Sequence, residues 1–215
     1  MIRIGYLNAS RIGHFAFDVE HYLCEKEEDF SRKKTIDLFY FGVSDNIEPN
    51  EFFCKLVKRY VNVYPWVRYL YSANYRIPGG DRNYIAPAQL TIGSRDKDAL
   101  FMKQPNQIRF SKDDNLQGFL YLKKIGMDIN SKFICLNVRD DAFLGSDYHN
   151  YRNSDIDTYS KGILSLADKG YWIIRMGKKV SKPLEVSHNK IVDYSLSQER
   201  CDFLAVEAAN SNKLF

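Results

Sequence analysis

Residues 132–177 read KFICLNVRDDAFLGSDYHNYRNSDIDTYSKGILSLADKGYWIIRMG. An apolar run at 133–138 gives way to a polar loop, then to a segment with helical spacing. A second apolar run follows and ends in Arg175, Met176 and Gly177. That order predicts a βαβ unit, with Asn153 or Ser154 placed to cap the helix and Gly170 placed to stop it. Arg139, Asp140, Asp141, His149 and Arg152 fall where strands hand over to loops, and open α/β sheets bind ligands in the crevice outside the carboxyl ends of their strands. Arg139 closes the first strand, Arg152 precedes the helix and Arg175 interrupts the second strand. Three arginines near one crevice point to a phosphate-bearing ligand, because a guanidinium presents a rigid, permanently charged fork to phosphate oxygens.

Working outward, residues 2–7 read as a short buried strand and 8–13 as a polar turn containing Gly13. Residues 14–28 carry Phe15, Phe17, Val19, Tyr22 and Leu23 at roughly helical spacing. The run TIDLFYF at 35–41 suits a second strand. A loop with Pro49 and Asn50 leads to a helix at 51–61, whose stripe is Phe52, Leu56, Val57 and Tyr60. A further helix is expected at 66–73, then a loop-rich bridge from 74 to 107 with a turn at Pro78, Gly79 and Gly80. Asp113 or Asp114 is placed to cap a helix that runs to Ile125 and stops at Gly126. After the βαβ unit, 191–194 reads as a short strand and 197–215 as a helix.

This alternation predicts an α/β fold with mostly parallel sheets. The expected domains are 1–127 and 128–215. The second supplies about three strands, fewer than a doubly wound domain usually holds, so it is expected to be incomplete.

The chain has 215 residues and a net charge of +4, with charges of both signs mixed along it. No basic stripe or tail is present, so nucleic acid is not an expected partner. Cys24, Cys54, Cys135 and Cys201 are far apart, and none forms a CxxC pair; they read as reduced core thiols rather than a zinc site. The N-terminus carries no apolar signal core, and no run nears the roughly 20 apolar residues that cross a bilayer. The expectation is a cytoplasmic protein, with peripheral contact at the inner membrane left open. No GxGxxG, HExxH, GxSxG or P-loop string occurs, which weighs against dehydrogenase, metalloprotease, serine-hydrolase and P-loop readings.

Three stretches, SRIGHFAFDVEHYL at 10–23, the region from Phe41 through the following helix to Tyr60, and LNVRDDAF with YHNYRNSDIDTY and GYWIIRMGK at 136–178, resemble a family of bacterial glycosyltransferases of the surface-polysaccharide, GT-B-like type. The resemblance implies two Rossmann-like domains facing across a cleft. Domain 1–127 would be the acceptor side and 128–215 the donor side. It implies a nucleotide-sugar donor, a glycan or lipid-linked acceptor, and a metal-independent reaction without a cofactor, in which positive side chains and a helix N-terminus stabilise the leaving diphosphate. Fucosyltransferase-like enzymes place an arginine after the strand corresponding to 133–138, and by that resemblance Arg139 meets the donor diphosphate. Members of the family are longer, so the chain is expected to be a C-terminally shortened form.

Read from the residues alone, each candidate has a second meaning. Gly13 lets the backbone approach a ligand, or simply makes a turn. His14 suits a base that takes a proton from an acceptor hydroxyl, or it only bonds the backbone. Arg11 beside it orients a phosphate or carboxylate. Asp18 is read as a solvated helix charge rather than as the partner of His14. Arg139 has Asp140 or Asp141 as alternative partners, and Arg175 has Asp193. Asp81 is a second candidate base or a turn residue. Beside the glycosyltransferase stand a non-catalytic sugar- or nucleotide-binding module, an interaction remnant with a pairing sheet edge, and another phosphate-handling α/β enzyme.

Overall fold

The computed structural model describes residues 1–29, 34–43, 49–93, 95–104, 106–128, 130–142 and 150–198. His149, Cys201 and the helix expected beyond Gln198 lie outside the described residues. The chain divides into two units, Met1–Arg109 and Phe110–Phe215. Each is mixed α/β around a parallel sheet.

In the first unit, β1 (Ile2–Asn8), α1 (Ile12–Glu28), β2 (Ile36–Gly42), α2 (Glu51–Val57), β3 (Asn62–Val63), α3 (Val67–Asn74) and β4 (Tyr84–Ile85) follow in turn. Two short helices come next, α4 (Ala88–Ile92) and α5 (Leu100–Lys103). The strand order is β3-β2-β1-β4, and every pairing is parallel. The sheet therefore winds one way from β1 to β3 and then switches to β1's other side for β4. Alternation along β2 sends Asp37, Phe39 and Phe41 to one face and Tyr40 to the other. On the first face α1 brings Tyr22 to Phe39 and Phe15 to Phe41, with ring centroids 4.9 and 5.4 Å apart. On the second, Tyr71 of α3 meets Tyr40 at 5.6 Å and Tyr6 at 5.9 Å. Gly5 sits in the middle of β1 because a Cβ there would lie 2.8 Å from the Phe39 ring and 3.0 Å from Ile85 Cβ. Its absence lets side chains of both neighbouring strands close over β1.

The amino end of this sheet is fastened by one carboxylate. Asp37 is 2 % exposed. It accepts two bonds of 2.8 Å from Arg3 Nε and Nη2, one of 2.6 Å from the Tyr22 hydroxyl and one of 3.2 Å from Lys26 Nζ. Burial opposes its charge, but the bonds from Arg3, Tyr22 and Thr35 outweigh that and hold the carboxyl well below its ordinary value. Glu20 of α1 accepts from the Gln107 and Ile108 amides at 2.6 and 3.0 Å, which ties the end of the unit back onto the helix.

In the second unit, α6 (Lys112–Lys124) leads to β5 (Phe133–Asn137), α7 (Ser160–Asp168), β6 (Trp172–Met176) and β7 (Ile191–Asp193). The order is β5-β6-β7, parallel throughout. α6 opens with a capping box in which Ser111 bonds the Asp114 amide and Asp114 bonds back to the Ser111 amide. The cap is therefore Ser111, and Asp114 is its reciprocal partner rather than the cap itself. Gly126 and Gly170, both at positive φ, end α6 and α7 with the paired backbone bonds of a Schellman motif. β6 is buried along its whole length. Trp172, Ile174 and Met176 pack with Met127 and Tyr194, and with Tyr121, Leu122 and Ile125 at the α6 end. Ile173 packs with Ile163 and Ala167 of α7. Because α6 contributes to this core, the units divide between Arg109 and Phe110 and not between 127 and 128.

Candidate functional site

The residues expected to act in the first unit gather at the carboxyl end of β1. After Asn8, the Ala9 amide bonds the Gly42 carbonyl at 2.9 Å and the Ser10 amide bonds Asn8 Oδ1 at 3.2 Å, so the turn is held against the end of β2. Arg11 is the N-cap residue of α1, with extended backbone and no side-chain capping bond. Phe15, fully buried and edge-on to Phe41 and Phe53, fixes where the helix starts. Gly13 and His14 are thereby held in the first turn. Gly13 is exposed, and a Cβ there would meet nothing within 4 Å, so packing does not require a glycine at this position. His14 is half-buried. Asp18, read from sequence as solvated, is buried instead. Asp81 lies exposed in the 3-10 turn Gly80–Asn83.

In the second unit a cavity of about 320 Å³ opens at the carboxyl end of β5. Val138, Asp140 and Asp141 line it from the strand end, Asn153 to Ile156 from the segment before α7, and Ser181 and Lys182 from the loop after β6. Hydrogen bonds hold the three segments together. The Ser154 amide bonds the Arg139 carbonyl at 2.8 Å. Asp140 Oδ2 accepts from the Ser181 amide at 2.7 Å and from its hydroxyl at 2.9 Å, and Oδ1 accepts from the Ala142 amide at 3.1 Å. Lys182 Nζ lies 2.6 Å from Asp155 Oδ1 and also bonds Asp157. Burial opposes the charge of Asp140, but the Ser181 and Ala142 bonds and the nearby Arg175 charge hold its carboxyl below the ordinary value. Lys182 does the same for Asp155.

The three arginines do not form one anion site. Arg175 is 1 % exposed, and its Nη1 donates to Asp193 Oδ2 at 3.0 Å and to the Lys182 carbonyl at 2.8 Å. Of the two roles left open by the sequence, ligand-facing cation or internal partner of Asp193, it takes the second, because β6 turns it inward where Asp193 stands in register on β7. Asp193 Oδ2 also accepts from the Leu184 amide at 2.9 Å. The pair thus draws the loop bearing Ser181 and Lys182 down onto the sheet. Arg139 is half-buried and Arg152 exposed, and each adjoins a lining residue without lining the cavity itself. Asn153 and Ser154 face the cavity instead of capping. Asp155 caps the 3-10 turn Ile156–Tyr159 ahead of α7, accepting from the Asp157 amide at 3.0 Å.

The lining therefore accepts more than it donates. Asn153 Oδ1 is buried without a hydrogen-bond partner, and among the described residues Asp140, Asp141 and Asp155 stand against the single cation Lys182. Such a lining suits a ligand rich in hydroxyl donors. Ligand pockets span about 300–1,000 Å³, and this one lies at the lower end of that range. Sequence reasoning put Asp140 and Asp141 at the crevice, as alternative partners of Arg139, and missed Asn153, Ser181 and Lys182 as lining; the visible signal was the density of Asp, Asn and Ser at strand ends.

Among the described residues Cys24, Cys54 and Cys135 form no disulfide, and burial pushes the thiols of Cys24 and Cys135 up to about 11. Among the described residues no cluster of histidine, cysteine or carboxylate side chains is placed to hold a metal, and no helix is long and apolar enough to cross a membrane. No protein-family model matches the chain, and neither a curated protein nor a solved structure matches it.

Proposed function

We propose that the protein is a cytoplasmic glycosyltransferase that moves a sugar from a nucleotide-sugar donor to a hydroxyl of a glycan or lipid-linked acceptor, with a Rossmann-like, GT-B-like domain in each unit. The observation that carries this reading is the cavity at the carboxyl end of β5, whose acceptor-rich lining suits a sugar ring. Support also comes from the order β3-β2-β1-β4, which matches the first strands of a doubly wound sheet, and from the sequence resemblance. In this reading the sugar enters the cavity, where Asn153 Oδ1 and the carboxylates accept its hydroxyls. Arg139 and Arg152 offset charge on the diphosphate. The acceptor oxygen bonds to the anomeric carbon as the bond from that carbon to the diphosphate breaks. The nucleoside diphosphate leaves, and the acceptor proton passes to a general base, the role the sequence suggests for His14.

The acidic lining also favours a second reading, a sugar-binding module without transfer. Thermal melts with UDP, GDP, CMP, their sugar conjugates and free monosaccharides separate the two. A ligand at about 100 times its dissociation constant stabilises by about 2.7 kcal/mol. The glycosyltransferase reading expects a shift with one nucleotide sugar that is reduced in Asn153→Ala and in Arg139→Ala. A shift with free sugars alone favours the binding module. A chain that melts cooperatively and shifts with none of them overturns both.

A further inference from the structure

We infer that α3 and its flanks form a docking surface for an anionic lipid bilayer. The helix buries only Val67 and Asn74, while Tyr71, between them on the same stripe, packs on the sheet. Around the other side Trp66, Tyr69, Leu70 and Ala73 recur at i, i+3, i+4 and i+7, the spacing of a second apolar stripe. That stripe faces solvent: Trp66 is 50 %, Tyr69 76 % and Leu70 42 % exposed. Past the last turn Tyr75 and Ile77 are also exposed, at 82 % and 59 %. Trp66 is braced by Tyr64, with stacked rings 5.6 Å apart. A stripe of this kind has no folding role, since the opposite side of the helix already makes the sheet contact.

Charge selects the partner. Between residues 52 and 80 there is no Asp or Glu, and Arg68 in the helix and Arg76 just past its end are both exposed. Trp and Tyr are the side chains that settle at the headgroup level of a membrane, and basic residues beside them are drawn to anionic lipids. Exposed aromatics flanked by arginines, in a stretch without acidic residues, thus fit a bilayer bearing negative headgroups better than a neutral one. The surface lies wholly within the first unit, and the inference does not depend on the sugar-binding reading.

The test is flotation of the full chain with vesicles of phosphatidylcholine alone and of phosphatidylcholine mixed with phosphatidylglycerol. Trp66 serves as an internal reporter, because the chain's other tryptophan, Trp172, is buried. Binding is expected only to the anionic vesicles, with a blue shift of Trp66 emission, and it should weaken as salt shortens the screening length from about 10 Å at 0.1 M to about 3 Å at 1 M. Arg68→Gln with Arg76→Gln should lower partitioning about thirtyfold, at about fivefold per cation. Trp66→Ala with Leu70→Ala should lower it about tenfold or more. All four side chains are exposed, so circular dichroism and melting temperature should stay at wild-type values. Equal binding to neutral vesicles, binding unchanged in both double variants, or no binding overturns the inference. So does a concentration-dependent dimer that Trp66→Ala abolishes without any vesicle binding, which would make a second copy the occupant.

Discussion

The Asp37 cluster of the first unit and the Asp140–Lys182 cluster of the second use the same ingredients, carboxylates and cations at the ends of parallel strands, but only the first is closed. Asp37 is buried and receives donors from β1 and α1. Asp155 is exposed and Lys182 half-buried around an open cavity, and Asp140 is bonded to a single loop segment beyond its own turn. A buried carboxylate must have its charge matched, so its neighbours are fixed by folding. An exposed one is hydrated whether or not a partner comes, so its neighbours remain available to a ligand. Burial, and not residue type, separates a fastening from a site.

The largest effect expected from breaking the closed cluster comes from Asp37→Asn. The change keeps the shape and removes the charge that Arg3 and Lys26 face, and breaking a buried pair in this way costs about 3–5 kcal/mol. Urea melts would read it. The same residue sets an acid limit. Its native pKa is depressed, so its contribution is present above the unfolded value of about 3.9 and is lost as pH falls below that towards the lower native value. Stability of the wild type should fall across that acid window more steeply than that of Asp37→Asn. Parallel slopes would show that Asp37 is not the group responsible.

Arg175 stands between the two cases, buried like Asp37 yet tied to the loop that lines the cavity. Arg175→Met fills similar volume but leaves Asp193 with only the Leu184 amide and Ser195 hydroxyl as donors, and the Lys182 carbonyl loses its donor. A loss of about 1–3 kcal/mol is expected, together with weaker sugar binding because Ser181 and Lys182 are no longer drawn down. Full stability with weakened binding would assign Arg175 to the ligand, the other role left open by the sequence.

How far the sequence could be read follows the same division. β1, β2, β5 and β6 were legible because buried parallel strands are near-continuous apolar runs. β3 and β4 have two residues each, too few to show any period, and β4 is the strand that sets the sheet's switch beside β1. Ser111 and Asp155 were missed as caps because Asp113 and Asp114, or Asn153 and Ser154, offer the same chemistry one to three residues away. Arg139, Arg152 and Arg175 were correctly seen as lying at strand ends and beside loops. Which of them turns inward depends on the register with β7, and which side chain of Arg139, Asp140 and Asp141 faces the cavity depends on the turn. Neither is written in residue type.

The smallest effect on folding, and the sharpest test of the comparison, is Lys182→Ala. Its ammonium bonds Asp155 and Asp157 at the surface, where water and salt replace an ion pair at little cost, so the urea midpoint should stay at the wild-type value. Binding should change instead. Lys182 is the only cation in the lining among the described residues, so its loss removes the charge that opposes Asp140, Asp141 and Asp155 there. Titration calorimetry should then show weaker binding of a nucleotide sugar at low salt and little change for the free sugar, with the difference shrinking at 1 M salt as screening takes over. Destabilisation in place of this pattern would mean that Lys182, like Arg3, fastens the fold, and the distinction between the closed and the open cluster would fail.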